Sequence, residues 1–106
     1  MKAVRQKLRL RELGPGYADA LATWLRALAH PIRLQIVYGL SEGKCNVCGI
    51  AESLGLRPAN VSQHLASLRR AGIVQTQRRG QEICYRVADT RAESVVRLLL
   101  DGRDSR

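Results

Sequence analysis

The sequence predicts a mainly α-helical domain of the α+β class, with a small β-hairpin in its second half. Apolar residues recur at helical spacing over residues 47–54 and again over residues 61–68. Gly55 stands between these segments, where a left-handed helix C-cap is expected, and Pro58 suits the first position of the second helix. After Gly72 the apolar period changes to that of a strand.

The second of these helices has a polar face without an acidic residue. Asn and Gln side chains can bind adenine, Arg can bind guanine, and Ser can reach bases or phosphates. Two helices joined by a short turn that contains Gly form the helix-turn-helix pattern. An ordinary solvated helix face is the alternative, but the tandem arrangement favours DNA binding. The candidate DNA-contacting residues are Arg57, Asn60, Ser62, Gln63, His64, Ser67, Arg69 and Arg70.

Composition supports a polyanionic partner. The 106 residues suffice for one domain, and 18 Lys and Arg against 9 Asp and Glu give a net charge of +9, which favours double-stranded DNA. The odd number of cysteines, 3, argues against a disulfide framework. No apolar run has the length of a membrane span, and the N-terminus has no signal-peptide core. We therefore expect a cytoplasmic protein with no membrane partner.

The chain divides into three predicted parts. Residues 1–16 form a basic N-terminal arm, which either touches DNA phosphates or is a frayed terminus. Residues 17–101 form the DNA-binding and dimerisation domain, and residues 102–106 form a C-terminal tail. The Gly14-Pro15-Gly16 triplet is expected to break any helix that begins in the arm.

Helices are predicted before and after the central motif. Residues 17–28 carry an apolar stripe, and Pro31 opens a second helix with His30 as a capping or packing residue. The last helix covers residues 90–100, with Asp89 or Thr90 as its N-cap. The first and last helices are more apolar than a small core needs, which indicates a subunit interface; for Trp24, a place in the core is the alternative. The predicted interface residues are Leu21, Trp24, Val95 and Leu99.

The hairpin is predicted from strands over residues 73–77 and 82–87, with residues 78–81 as the connecting loop. Two arginines in such a loop can lie along the DNA backbone or enter a narrow minor groove. A hairpin after a helix-turn-helix is a wing, so the fold is a winged helix-turn-helix. A two-fold dimer would place its two recognition helices roughly 34 Å apart on a palindromic operator. The wing residues expected at DNA are Arg78, Arg79 and Gln81.

Three segments carry a family resemblance: LRALAHPIRLQIVYGL, IAESLGLRPANVSQHLASLRRAGIV and RRGQEICYRV. They resemble the ArsR/SmtB family of bacterial winged-helix repressors, over about residues 21–87. The resemblance implies a homodimer that binds its operator without effector and is released by a metal ion, a metalloid or an oxidant. The matching operator-reading residues are Asn60, Ser62, Gln63 and His64, with Arg78 and Arg79 in the wing. For His64, packing or a phosphate contact is the alternative.

One departure from the family lies at the start of the recognition helix. The family usually has Ser near that cap, whereas this chain has Arg57 followed by Pro58. Loss of a Ser cap costs about 1 kcal/mol of local stability. Arg57 could compensate by reaching a phosphate.

Cys45 and Cys48, at i and i+3, lie on one side of a helical turn, so their sulfurs can converge on a soft ion. The pair resembles, imperfectly, the Cys-Val-Cys motif of family members that sense As(III), Cd(II) or Pb(II). Cys45 equally resembles the cysteine of persulfide-sensing members, although the last helix lacks their partner cysteine. A redox-active Cys45–Cys48 disulfide without a metal is the alternative. Cys84 is either a third thiolate or an inert core thiol.

Three functional hypotheses follow from these residues. The first is a homodimeric repressor whose Cys45 and Cys48 sense a thiophilic metal, a metalloid or a reactive species. The second is a DNA-binding regulator of the same fold with no effector at its cysteines. The third, a thiol-redox or structural zinc module, lacks a βαβ setting and a fourth ligand. The last helix lacks the acidic and histidine pairs of the SmtB zinc site, and no catalytic motif predicts an enzyme.

Overall fold

The computed structural model describes residues 13–104, so the predicted basic arm lies almost entirely outside the described residues. The described residues form mainly helices and one antiparallel β-hairpin, which confirms the predicted fold class. The elements are α1 (Pro15–Leu28), α2 (Pro31–Ser41), α3 (Val47–Leu54), α4 (Pro58–Arg70), β1 (Val74–Arg79), β2 (Glu82–Val87) and α5 (Thr90–Asp104).

A single apolar cluster holds these elements together. It draws buried side chains from every helix and from both sides of the hairpin base, so α4 is fixed against α2, α3 and β1. The largest fully buried side chains are Ile36, Val37, Ile50, Val61, Leu65, Leu68, Ile73 and Val74.

Proline and glycine set most of the helix limits, as the sequence predicts. Pro15, Pro31 and Pro58 each occupy the first turn of a helix, where the missing N–H costs no hydrogen bond. Gly55 ends α3 at φ 68°, in the left-handed region that glycine adopts without strain. The predicted capping role of His30 is confirmed, because its Nδ1 accepts from the backbone N–H of Ile32 at 3.1 Å.

Two side-chain caps begin other helices. Asn46 precedes α3, and its Oδ1 accepts from the backbone N–H of Gly49 at 2.7 Å. Asp89 precedes α5, and its Oδ1 accepts from the backbone N–H of Arg91 at 3.0 Å. Asp89 is therefore the residue that caps α5, of the two that the sequence offered. By contrast, Arg57 gives α4 no side-chain cap.

Three predicted boundaries are wrong. The helix predicted over residues 17–28 begins at Pro15, because proline at the first position starts a helix. The last helix, predicted to end at residue 100, continues to Asp104. β1 extends to Arg79, so Arg78 and Arg79 lie in the strand and only residues 80–81 form the turn. Gly80, at φ 62°, allows this tight connection.

Among the described residues, no helix is both long and apolar enough to cross a membrane.

Candidate DNA interface and thiol pair

The recognition helix α4 has one buried face and one exposed face. The buried face consists of Val61, Leu65 and Leu68, each 0% exposed. Their packing into the core fixes the rotation of the helix about its axis and its position along that axis. The opposite face is turned to solvent and carries donors and acceptors but no acidic residue. Its exposed polar residues are Asn60, Ser62, Gln63, Arg69 and Arg70.

Most of this exposed face is free to meet a ligand. In the last turn of the helix, the guanidinium of Arg70 donates to the hydroxyl of Ser67 at 3.1 Å. Arg57 stands at the N-cap position, where its guanidinium, which has donors only, cannot cap the helix. Because the side chain is exposed, it is available to an anion near the helix start. Side chains at this end of a recognition helix are the ones that reach base edges in helix-turn-helix proteins.

His64 differs from its neighbours because its side chain is held by α2. The Nε of Arg33 donates to Nδ1 of His64 at 3.1 Å, and the His30 and His64 rings lie 4.5 Å apart. Burial, with the nearby His30 and Arg33, lowers the pKa of His64, which keeps Nδ1 free to accept. Arg33 also donates to the carbonyl of Ala27 at 3.0 Å. Sequence spacing gave no signal for Arg33, since this contact exists only when α2 and α4 pack.

The wing places its charges on the outer part of the hairpin. Arg78 pairs in register with Ile83 and Arg79 with Glu82, and both arginines are exposed. Gln81 is exposed in the turn beyond them. Val74, in the pair at the base of the hairpin, and Cys84, opposite Gln77 in its outer half, are buried, whereas the rest of β1 and the two outermost pairs are exposed.

The structure brings Cys84 of β2 to Cys45, which immediately precedes the cap of α3. Cys84 is 3% exposed, and Cys45 is half-buried. A hydrogen bond with the Cys45 side chain, followed by burial, raises the pKa of Cys84, so Cys84 keeps its proton at neutral pH. The backbone N–H of Tyr85 donates to the carbonyl of Cys45 at 2.8 Å, which joins the same two segments.

Cys48 lies on the second residue of α3 and is exposed. Within residues 13–104, no three His, Cys, Asp or Glu side chains converge as a metal site would require. A trigonal arsenite site made from all three cysteines is therefore not assembled in the single chain. The contact with Cys84 could not be read from sequence, because it depends on where the wing packs.

The two ends of the described chain form a further surface. Trp24 donates its Nε1–H to Asp89 at 3.0 Å, and Arg91 lies 4.9 Å above the Trp24 ring. A groove between α1 and α5 includes the half-buried Leu21 and Val95 among its lining residues. Apolar side chains remain exposed on both helices: Tyr17, Leu25, Leu98 and Leu99.

This fold, with an exposed acid-free helix beside a basic hairpin, defines a winged helix-turn-helix DNA-binding protein. The family model described as "Bacterial regulatory protein, arsR family" matches residues 30–76. The biofilm growth-associated repressor of Xylella fastidiosa is 37% identical over 82 residues, covering 77% of this chain and 72% of that protein. The chain belongs to the arsR family of bacterial regulatory proteins.

Solved structures agree with this family. Reduced HlyU from Vibrio cholerae is similar with a TM-score of 0.75 and 32% identity, covering 85% of this chain and 94% of that one. A homodimeric winged helix-turn-helix DNA-binding domain from Mycobacterium bovis is similar with a TM-score of 0.74 and 30% identity, covering 84% and 82%. The predicted resemblance is confirmed, and so is the prediction that the chain is not an enzyme.

Proposed function

We propose that this chain is a homodimeric transcriptional repressor that acts in the cytoplasm and binds a palindromic operator. A thiophilic metal ion, a metalloid or an oxidant that reacts with its cysteines would release it. The observation that carries the proposal is the acid-free outer face of α4, exposed on a helix whose inner face is fully buried. The Xylella fastidiosa relative named as a repressor supports repression over activation.

Operator reading is assigned to α4. A helix that enters the major groove must keep its position while its outer side chains pair with base edges. The buried inner face of α4 meets the first requirement, and Asn60, Ser62 and Gln63 meet the second. Arg57, Ser67, Arg69 and Arg70 are assigned to phosphates along the groove. Because His64 is engaged with Arg33, we assign it to positioning rather than to a base.

The wing is assigned to the neighbouring backbone or minor groove. Arg78 and Arg79 are exposed near the free end of the hairpin, and Gln81 extends the same polar surface. Phosphate contacts of this kind add affinity without reading sequence, and they make binding depend on salt.

Dimerisation is assigned to α1 and α5. Leu98 is 71% exposed and Leu99 is 61% exposed, which leaves apolar surface uncovered in one chain. The groove that includes Leu21, Trp24 and Val95 continues this surface. The homodimeric relative from Mycobacterium bovis supports an interface between two copies.

Control through the cysteines is supported by their place in the fold. Cys45 and Cys48 stand at the start of α3, the first helix of the DNA-binding motif, and Cys84 stands in the wing. A change in their bonding would therefore act between the two DNA-binding elements. The second candidate is a regulator with no effector at the cysteines, which the burial and protonation of Cys84 favour.

DNA binding is tested with the reduced, metal-free protein and DNA from upstream of its own gene. Fluorescence anisotropy at fixed salt is expected to show specific binding, against a scrambled sequence of the same length. Equal affinity for both sequences would contradict operator recognition.

Dimerisation is tested by analytical ultracentrifugation. The wild-type chain is expected to sediment as a dimer, and the double variant Leu98→Glu/Leu99→Glu as a monomer. The matched control is Ile83→Glu, which alters an exposed apolar residue of the wing, 49% exposed, and is expected to remain dimeric. A monomeric wild-type chain would overturn the assignment.

Effector control is tested by adding arsenite, Cd(II), Pb(II), polysulfide or peroxide to the preformed complex. Release by one agent that is lost in Cys45→Ser or Cys48→Ser would identify the effector class. Tight binding that ignores every agent would leave the second candidate, a regulator with no effector at its thiols.

A further inference from the structure

We infer that Cys45 and Cys84, rather than Cys45 and Cys48, form the reactive pair, and that a hydroperoxide converts them into a disulfide that ties the start of α3 to the wing. The inference rests on the proposed function only where it concerns operator binding. The bond itself is a modification of this chain and can be tested without DNA.

Backbone geometry brings the two residues within reach of a disulfide. The 2.8 Å hydrogen bond joins the N–H of Tyr85, next in sequence to Cys84, to the carbonyl oxygen of Cys45. The Cα atom of Cys84 lies about 2.4 Å from the Tyr85 nitrogen, and the Cα atom of Cys45 about 2.4 Å from its own carbonyl oxygen. The two Cα atoms are therefore at most roughly 7.6 Å apart. Disulfides span Cα separations of about 4.4–6.8 Å, so the bond needs at most a small movement of the backbone.

The side chains complete the pair. The two thiols also interact, since the Cys45 side chain is the main cause of the raised pKa of Cys84. Cys48 is exposed on α3, and the helical turn that carries it begins at the Asn46 cap, after Cys45. A Cys45–Cys84 bond would therefore join β2 to the start of α3, whereas a Cys45–Cys48 bond would stay within one short segment.

Exposure assigns the order of the two steps. Cys45 is half-buried and reachable by a small oxidant, whereas Cys84 is 3% exposed. The Cys45 thiolate attacks the hydroperoxide, the O–O bond breaks, and the leaving oxygen takes up a proton as an alcohol or water. Cys45 is then a sulfenic acid. The Cys84 sulfur attacks it, the S–O bond breaks, and the hydroxyl leaves with the Cys84 proton as water. Two electrons pass from the two thiols to the peroxide.

The bond would act on DNA binding through the register of the hairpin. Cys84 pairs with Gln77, and the next two pairs outward carry Arg78 and Arg79. Closing the sulfurs to about 2.05 Å pulls β2 toward α3, which redirects these arginines relative to α4. We expect the disulfide to weaken operator binding by about 5- to 150-fold, the usual range of coupling between sites.

The bond is tested by treating the full-length reduced protein with hydrogen peroxide and digesting it with trypsin without reductant. Trypsin leaves Cys45 and Cys48 in one peptide and releases Cys84 in GQEICYR. We expect a linked pair of these peptides in the wild-type chain and in Cys48→Ser. The link should be absent from Cys45→Ser and from Cys84→Ala. Because Cys84 is buried, Cys45→Ser keeps the test valid if Cys84→Ala fails to fold.

Oxidised and re-reduced samples are then titrated onto the operator. Weaker binding that reductant reverses, in the wild-type chain and in Cys48→Ser alike, is the expected result. A bond within the Cys45–Cys48 peptide, a bond between two chains, or oxidation without a disulfide would overturn the inference. So would a Cys45–Cys84 bond that leaves operator affinity unchanged. If the reduced protein binds no operator, the proposed function fails, while the peptide map still decides the pairing.

Discussion

The recognition helix and the wing are attached to the core in different ways. Three α4 side chains with no exposed surface hold that helix along most of its length. The hairpin is attached at few points, with Val74 buried at its base and Cys84 buried opposite Gln77, while the rest of β1 and the outermost pairs, including Ile83, are exposed. An element fixed along its length suits base reading, which requires a constant position. An element held at only a few points can be moved by a single new bond, which suits regulation.

The largest expected effect tests the attachment of α4. Leu65→Ala removes a side chain that is 0% exposed, so the free energy of unfolding should fall by about 2–5 kcal/mol. Urea denaturation measures it through the midpoint at unchanged slope. Ser62→Ala, on the exposed face, should change stability by about 0.5 kcal/mol or less. Equal effects in the two variants would show that α4 is not held by its inner face.

The next prediction compares helix and wing at the operator. Gln63→Ala should cost about 1–3 kcal/mol of binding free energy on the preferred sequence and relax specificity there. Arg79→Ala should weaken binding to all sequences alike and reduce the salt slope by about 1. Anisotropy titrations on specific and scrambled DNA at several salt concentrations separate the two. A wing variant that alters sequence preference would contradict the assigned division of roles.

A smaller effect is expected at the helix starts, where α3 has a side-chain cap and α4 has none. Asn46→Ala removes the bond to the Gly49 N–H and should destabilise the protein by about 1 kcal/mol. Arg57→Ser supplies the missing cap and should stabilise it by up to about 1 kcal/mol while weakening DNA binding. Thermal unfolding measures both changes. Loss of stability in Arg57→Ser would show that the uncapped start is compensated within the protein.

The smallest effect concerns pH. Because the pKa of His64 is lowered from 6.5, the unfolded chain takes up this proton more readily than the folded chain. Its contribution to stability is therefore complete above about pH 6.5 and is lost as the pH falls through the folded-state pKa. The wild-type melting temperature should fall more between about pH 7.5 and 5.5 than that of His64→Gln, which keeps an acceptor for Arg33. His30 is present in both proteins.

Asp89 also has a lowered pKa, but it does not titrate between about pH 7.5 and 5.5 and so does not contribute to this difference. The hydrogen bond from Arg91 lowers the pKa of Asp89 from 3.8, so its contribution is lost only in more acidic solution. Parallel melting curves for wild type and His64→Gln would contradict the assigned role of the Arg33–His64 contact.

The sequence by itself determined the order and type of the elements. Proline at helix starts, glycine at Gly55 and the change of period after Gly72 are local signals, because they act through φ and hydrogen bonding within a few residues. The helical spacing of apolar residues in α4 likewise distinguished its buried face from its polar face. Local signals were weaker at the hairpin turn, where the strand continued to Arg79 because Gly80 allowed a tighter connection than predicted.

Only the tertiary structure decided which distant side chains meet. Arg33 contacts His64 because α2 packs on α4, and Trp24 contacts Asp89 because α1 packs near the start of α5. Cys45 lies near Cys84 because the backbone of β2 hydrogen-bonds to the segment before α3. Spacing in the sequence suggested a Cys45–Cys48 pair, because it indicates only which residues are neighbours along one helix. Contacts between elements depend on how buried apolar faces fit together, and that fit belongs to the whole core.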